Sequence, residues 1–453
     1  MGRKLSAFVT LSLLSLSSVI IFHTGNFGIQ TRFVLNDHSL NLYPELAFQP
    51  TQPGVSSSIP SNHSSVQNDP EITKSSRTLK INEDQNHVQT LNKTIPCVRQ
   101  NNFVFAKVHK CGSTTIQSIF FHYGYSHKLI VALPRHFRKA WIGKPHSITS
   151  KSYLPTPGGK QWNIFNHHQV YDKDMFLKLM PPDTIFVTIL RQPISRLSSA
   201  FNYFSLHKYF TNMVNVSVES RRSPIQTFLS DPWYWEKRFH PVRSAYGGLN
   251  DLGCIQNCMA QDLGMEKSQY NNPHAVKRYI ENLDKDFTTV MILEKLEESL
   301  VLLKRRMCWS LQDIIFWEKK KFKKRPYVVK VEDVRFRGSA LKTDFTEKMR
   351  HNYETYSNID FKIYNFFFEK LVKDIDEEGK DFLEEVEHLK NILGKVASYC
   401  KSTRKPKQSW FKETKWNTRF SINENYCQLL SEERPGWDKI LREHYYDSID
   451  KQK

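Results

Sequence analysis

"AKVHKCGSTTIQSIF", residues 106–120, is the stretch that decides the reading of this chain. It opens inside "FVFAKV" (103–108), a short and nearly continuous apolar run. That is the pattern of a strand buried on both faces of a parallel sheet. After Gly112 the period changes. Ile116, Ile119, Phe120 and Tyr123 recur at i, i+3, i+4 and i+7, which predicts a helix with Gly124 as its stop. Thr114, followed three residues later by Gln117, matches a capping box. The order is strand, Lys-Cys-Gly-Ser-Thr-Thr, helix. The free N–H groups of a first helical turn and the helix dipole favour an anion there. Lys110 adds a full positive charge and the Ser/Thr hydroxyls add donors, so the loop reads as a phosphate cradle. It is not the G-x-x-x-x-G-K-[ST] loop, because its lysine precedes its glycine. Taken alone, the same residues also make an ordinary capped βα turn.

A second constellation has the same architecture. "IFVTILRQPISRLSSAFNYF" (185–204) begins with an apolar run at 185–190 and places Arg191 at its carboxyl end. Pro193 suits a helix start, and Ile194, Leu197, Phe201 and Phe204 keep helical spacing. Arg191 from the strand end and Ser199 from the helix can reach one ligand group. An arginine fork plus a hydroxyl is good phosphate chemistry, although Arg191 alone also suits a carboxylate ion pair. In open α/β sheets ligands collect at the carboxyl ends of strands, where both constellations lie. "TTVMILEKLEESLVLLKRRM" (288–307) reads as strand then helix, with Leu296, Leu300 and Leu303 facing the core. Strands alternating with helices over 100–400 predict an α/β fold with a mainly parallel sheet flanked by helices.

A strand–Lys-x-Gly-[Ser/Thr]-Thr–helix followed by Arg-x7-Ser resembles the two signatures of sulfotransferases that use 3′-phosphoadenosine 5′-phosphosulfate (PAPS). Several segments are similar to one branch, the galactose 3-O-sulfotransferase family, which includes galactosylceramide sulfotransferase. They are "KVHKCGSTTIQSIFFHYGYSHKLIVALPR" (107–135), "FNHHQVYD" (165–172), "FVTILRQPISRLSSAFNYF" (186–204), "MILEKLEESLVLLKRRMCWSLQDIIF" (291–316) and "IYNFFFEKLVKDIDEEG" (363–379). Cys111 and Gly112 depart from the Thr and Ala more frequent in that branch.

The resemblance implies a P-loop-like sulfotransferase fold and PAPS-dependent sulfate transfer to the 3-hydroxyl of galactose in a glycolipid or a glycoprotein glycan. It implies that Lys110, Cys111, Gly112, Ser113, Thr114 and Thr115 hold the phosphosulfate and that Arg191 and Ser199 hold the 3′-phosphate. Lys110 would stabilise charge on the leaving oxygen. His168, carried from the strand end of "WNIF" (162–165), would be the base, with His167 as the neighbouring alternative. Cys111 beside Lys110 is expected to have a lowered pKa without catalytic use. No metal is required, since the lysine and amides neutralise the phosphates.

The remaining sequence bounds the setting. The 453 residues carry a formal charge of +19, which favours anionic partners. Arg3 and Lys4 precede an uncharged run at 5–22, which as a helix spans roughly 27 Å, about one hydrocarbon core. The expected layout is a cytoplasmic tail (1–4), an uncleaved signal anchor (5–22), a Ser/Pro-rich lumenal stem (23–98) and a catalytic domain (99–453), a type II Golgi membrane protein. A cleaved signal peptide is the alternative. Asn62, Asn92 and Asn215 head glycosylation sequons. Seven cysteines leave at least one unpaired within the chain. Cys254 and Cys258 suit a disulfide or buried thiols better than zinc, for want of a second ligand pair. The lysine run at 318–325 reads as solvated surface, and a lumenal chain would not meet nucleic acid. A kinase-like transferase lacks its phosphate loop here. A silent lumenal binding protein of the same fold, or a sulfotransferase for another carbohydrate, remains the alternative.

Overall fold

The computed structural model describes residues 97–136, 139–240, 254–317, 328–331, 334–337 and 345–450, with side chains for all of these except 328–337 and 446–450. The proposed anchor, the stem up to residue 96, Asn62, Asn92 and the lysine run at 318–325 lie outside the described residues. No helix among the described residues is long and apolar enough to cross a membrane.

Four parallel strands form the central sheet in the order β2-β1-β3-β4. They are β1 (Phe103–Ala106), β2 (Ile164–Phe165), β3 (Ile185–Leu190) and β4 (Phe287–Ile292). β1 pairs with β2 and β3, and β3 with β4. All four residues of β1 are buried, as its unbroken apolar run requires. α1 (Ser113–Ser126) follows β1 and α2 (Lys173–Leu177) follows β2. Between β3 and β4 run α3 (Pro193–Phe204), α4 (Met213–Glu219), α5 (Pro224–Ser230), α6 (Pro232–Glu236), α7 (Cys258–Asp262) and α8 (Pro273–Asp286). α9 (Leu296–Met307) follows β4 and buries Leu300 and Leu303. An antiparallel hairpin, β5 (Val328–Val331) and β6 (Val334–Arg337), precedes α10 (Glu347–Tyr356), α11 (Asn358–Glu378) and α12 (Lys380–Lys401). A second hairpin, β7 (Gln408–Phe411) and β8 (Phe420–Asn423), leads to α13 (Glu424–Leu430) and α14 (Arg434–Asp450).

The main core packs around the sheet and includes Phe103, Phe120, Trp309, Leu303 and Ile363. A second core gathers Leu197, Phe201, Phe228, Trp235 and Tyr353 beneath α3, α5, α6 and α10. Three disulfides, Cys97–Cys308, Cys254–Cys258 and Cys400–Cys427, leave Cys111 as a buried free thiol. The first of these ties Cys97 to the residue that follows α9.

Two local readings are corrected. α1 passes through Gly124 to Ser126. A Cβ on Gly124 would lie 2.7 Å from Val131 Cγ2, so the glycine serves close packing inside the helix. The helix begins at an N-cap Gly112 with φ 78°, and no side chain caps it. Gln117 does not close a capping box with Thr114; it turns into the protein and accepts from Lys107 Nζ at 2.6 Å.

Candidate active site

Three loops leave the carboxyl ends of β1, β3 and β2 and converge. The loop after β1 begins with Lys107, a buried lysine whose ammonium is satisfied by Gln117. Gln117 donates on to the Asn166 carbonyl, and Asn166 Nδ2 donates to Gln117 O at 2.8 Å. This buried chain ties α1 to the loop after β2. Lys110 (φ 66°) and Gly112 (φ 78°) both occupy the left-handed region. Glycine adopts it freely, while the lysine costs about 1 kcal/mol of backbone strain. A Cβ on Gly112 would meet Leu293 Cδ1 at 2.5 Å, so the loop is pressed against the segment following β4. These turns direct the loop into the N-terminus of α1, whose first amides form an anion-favouring end. Thr115 N–H donates to Gly112 O at 3.0 Å. Ser113 is buried, Thr114 exposed and Thr115 half-buried.

The loop after β3 joins the first. Arg191 Nη1 donates to the Lys110 carbonyl at 3.2 Å. Lys110 Nζ lies 3.5 Å from the centroid of the Tyr203 ring on α3, one turn beyond Ser199. Pro193 occupies the first turn of α3, as its sequence position suggests, and the Gln192 side chain accepts from Ser195 N–H. The two expected phosphate-holding constellations are therefore one surface. Ser199 is half-buried on α3 beside them.

Cys111 departs from expectation. Its side chain is fully buried, and burial pushes the thiol well above its usual pKa. Its sulfur faces the His109 carbonyl at 3.7 Å. Cys111 supplies backbone to the loop, not a reactive or cofactor-facing sulfur.

The loop after β2 carries His167 and His168, which diverge as neighbours on an extended chain do. His167 is completely buried, and its Nε2 lies 2.9 Å from Asp438 Oδ1, also completely buried. Asp438 Oδ2 accepts from Arg434 at 2.6 Å. His167 is thus an interior anchor held by α14. His168 instead stacks on His109, with ring centroids 4.2 Å apart, and on Trp141 at 5.6 Å. Its backbone is fixed on both sides, N–H to Ala140 O at 3.0 Å and O from Ile142 N–H at 3.3 Å. The residue is half-buried, and its Nδ1 is buried. Burial, reinforced by Lys107 and His109, holds the His168 imidazole well below its usual pKa, so it is neutral.

Four neighbours escaped the sequence reading. His109 Nδ1 lies 2.9 Å from both oxygens of Asp262 on α7, and His109 N–H donates to Asp262 at 2.7 Å. Arg196, almost wholly buried, donates from Nε to the His109 carbonyl at 3.4 Å. Trp141 completes the stack. His109 adjoins Lys110 in sequence, which could have drawn notice. Asp262 is 153 residues away and has no local signal. α7 is itself held by the buried Asp360, which accepts from Met259 N–H and Ala260 N–H at 3.1 and 2.9 Å. Buried polar atoms without a partner among the described residues cluster here: Arg191 Nε, Arg196 Nη1, His168 Nδ1 and Trp141 Nε1. Such orphans are costly unless a ligand satisfies them. No cluster of three or more His, Cys, Asp or Glu able to hold a metal is found among the described residues.

The galactose-3-O-sulfotransferase family model matches residues 28–409. The chain belongs to the galactose-3-O-sulfotransferase family. It is 31% identical over 229 residues to galactose-3-O-sulfotransferase 3 of Mus musculus, covering 50% of this chain and 49% of that relative. It is 25% identical over 315 residues to galactose-3-O-sulfotransferase 2 of Mus musculus, covering 68% and 71%. It is 28% identical over 222 residues to galactosylceramide sulfotransferase of Homo sapiens, covering 49% of each. The chain spans about half the length of the first of these relatives. The family match contains all three converging loops and ends before β8, α13 and α14. The Asp438 anchor on His167 therefore lies beyond it.

Proposed function

We propose that this chain is a PAPS-dependent sulfotransferase with a P-loop-like fold that sulfates the 3-hydroxyl of a galactose on a glycolipid or glycan. The observation that carries the reading is the junction of Arg191 with the Lys110 carbonyl, which merges the two phosphate-holding loops at the carboxyl end of a parallel sheet. The orphaned Arg191 Nε and the left-handed Lys110–Gly112 turn fit an anionic, doubly phosphorylated donor. PAPS supplies an activated sulfuryl group whose leaving group is adenosine 3′,5′-bisphosphate.

The chain's residues divide the work. Amides of 112–115, with Thr114 and Thr115, receive the phosphosulfate, and Arg191 with Ser199 receives the 3′-phosphate. His168 takes the proton of the acceptor hydroxyl as its oxygen bonds to sulfur. Lys110 leaves the Tyr203 ring for the bridging oxygen, where negative charge builds as the S–O bond breaks. A second assignment of the base, His109, is favoured by the Asp262 carboxylate on its Nδ1, the arrangement that fixes tautomer and orientation. His168→Ala and His109→Ala separate the two: the variant of the true base loses kcat with donor affinity intact.

Three disulfides fit an oxidising compartment, with which the proposed type II anchor at 5–22 and Golgi residence are compatible. Asn215 is exposed on α4, open to a glycan, although Ser217 of its sequon is buried in the fold. The test is sulfate transfer from labelled PAPS to galactosylceramide and to a β-galactosyl oligosaccharide, with linkage analysis of the product. Label on the galactose 3-oxygen is expected. Transfer to another position or sugar would reassign the acceptor, and ATP-supported transfer would favour the kinase-like reading.

A further inference from the structure

A cavity of about 560 Å³ opens beside the stacked rings, with His109, Trp141, His146, Gln261, Asp262 and Glu266 among its walls. None of residues 110–115, Arg191 or Ser199 lines it. The cavity adjoins the proposed phosphate-holding loops through His109, which precedes Lys110 and stacks on His168, and through Arg196 of α3. We propose that this cavity receives the neutral sugar of the acceptor, with Trp141 as the platform under the ring and Gln261 and Glu266 as hydroxyl partners.

The inference rests on the sulfotransferase reading above. Its chemistry comes from the lining. An indole offers a flat apolar face of the kind that packs against the C–H face of a sugar. Gln261 presents both donors and an acceptor, and the Glu266 carboxylate at the exposed rim accepts from hydroxyls. Asp262 already faces His109 and keeps that imidazole directed along the wall. The carboxylates of Asp262 and Glu266 share the wall with the cations of Arg196 and Lys267, so the lining carries no excess of either sign, as suits a neutral sugar. A volume of this size fits the range of ordinary ligand sites and admits more than a single small solute. A hydroxyl entering from this cavity meets the His109 imidazole, the second of the two candidate bases, which stacks on His168.

The test uses the full chain in detergent, with methyl β-galactoside as probe in the presence of adenosine 3′,5′-bisphosphate. Saturation-transfer NMR reads sugar binding, and sulfate transfer from PAPS reads acceptor KM. Trp141→Ala is expected to raise KM about tenfold or more and to erase the transfer signal, with bisphosphate affinity within twofold of wild type. Trp141→Phe is expected to restore most of both, and Glu266→Gln, a surface change, to raise KM several-fold. If Trp141→Ala and Glu266→Gln leave KM and the NMR signal unchanged while wild type sulfates galactose, the subsite assignment is wrong and the enzyme reading stands. If Trp141→Ala and Glu266→Gln lower bisphosphate affinity instead, the cavity belongs to the donor. If wild type sulfates no sugar, both readings fall together.

Discussion

Replacing Asp438 with alanine should uncouple α14 from the catalytic loop. Asp438 has no exposed surface and accepts from Arg434 at 2.6 Å while pairing with His167 at 2.9 Å. Removing one partner of a buried pair costs about 3–5 kcal/mol, because the other charge is left uncompensated. Arg434 keeps 16% of its side-chain surface exposed and donates to the Lys139 carbonyl, so water and that carbonyl relieve part of the loss. The lost His167 bond adds about 1 kcal/mol. The expected total is about 3–4 kcal/mol. Asp438→Asn keeps an acceptor for His167 and loses only the charge, so it should cost about half as much. Urea unfolding should show a lower midpoint with an unchanged slope. The backbone bonds of His168 to Ala140 and Ile142 persist, so kcat should fall about tenfold, through a small displacement of the imidazole, with bisphosphate affinity intact. Stability of Asp438→Ala within about 0.5 kcal/mol of wild type, or an unchanged kcat, would refute the anchoring role.

Further outcomes follow from the same structure. Burial lowers the pKa of both His122 and His207 from 6.5 to about 4, and holds that of His168 lower than usual. Depressed pKa values contribute stability that is complete above pH 6.5 and is lost as pH falls towards 4, roughly 3 kcal/mol for His122 alone. Asp360, raised to about 6 by burial, works the other way over the part of that range below 6. Urea midpoints should therefore fall between pH 6.5 and 4 despite that offset. A flat profile would contradict the burial of these rings. Cys111, buried and with its thiol pKa raised, should resist alkylation in the native protein and react only on unfolding; native labelling would show the loop to be open. Cys308→Ser should destabilise by about 5 kcal/mol, since the Cys97–Cys308 bridge closes a separation of 211 residues. A fragment starting at residue 99 should share that loss, and equal stability of the two fragments begun at 96 and 99 would refute it.

Much of the fold was legible in local patterns. The run at 185–190 coincides with β3, and Pro193 opens α3, because both signals are set within a few residues. "FVFAKV" was read two residues too long, since Lys107 is buried by a partner, Gln117, that local hydropathy cannot reveal. The Thr114–Gln117 box failed for the same reason: a tertiary partner claimed the glutamine. Gly124 looked like a stop, yet it marks where Val131 needs room. In the candidate site, the placement of Lys110, Gly112 and Arg191 in strand-end loops was legible because the apolar runs before them mark the strands. The Asp262–His109 and Asp438–His167 pairs could not, because sequence separations of 153 and 271 carry no periodic signal. Neighbours on an extended chain point apart, but which of His167 and His168 faces the interior is decided by Asp438 on α14.

The most direct test of the merged donor site compares binding of adenosine 3′,5′-bisphosphate with that of adenosine 5′-monophosphate by calorimetry, in wild type and in Arg191→Ala. A charge-assisted fork from Arg191 with the Ser199 hydroxyl should contribute about 3 kcal/mol, a preference of roughly a hundredfold for the bisphosphate. The account predicts that preference in wild type and its collapse to within a few-fold in Arg191→Ala, with 5′-monophosphate affinity little changed. Equal binding of the two nucleotides by wild type, or a preference that survives Arg191→Ala, would contradict the assignment of Arg191 to the 3′-phosphate and with it the donor site proposed for this chain.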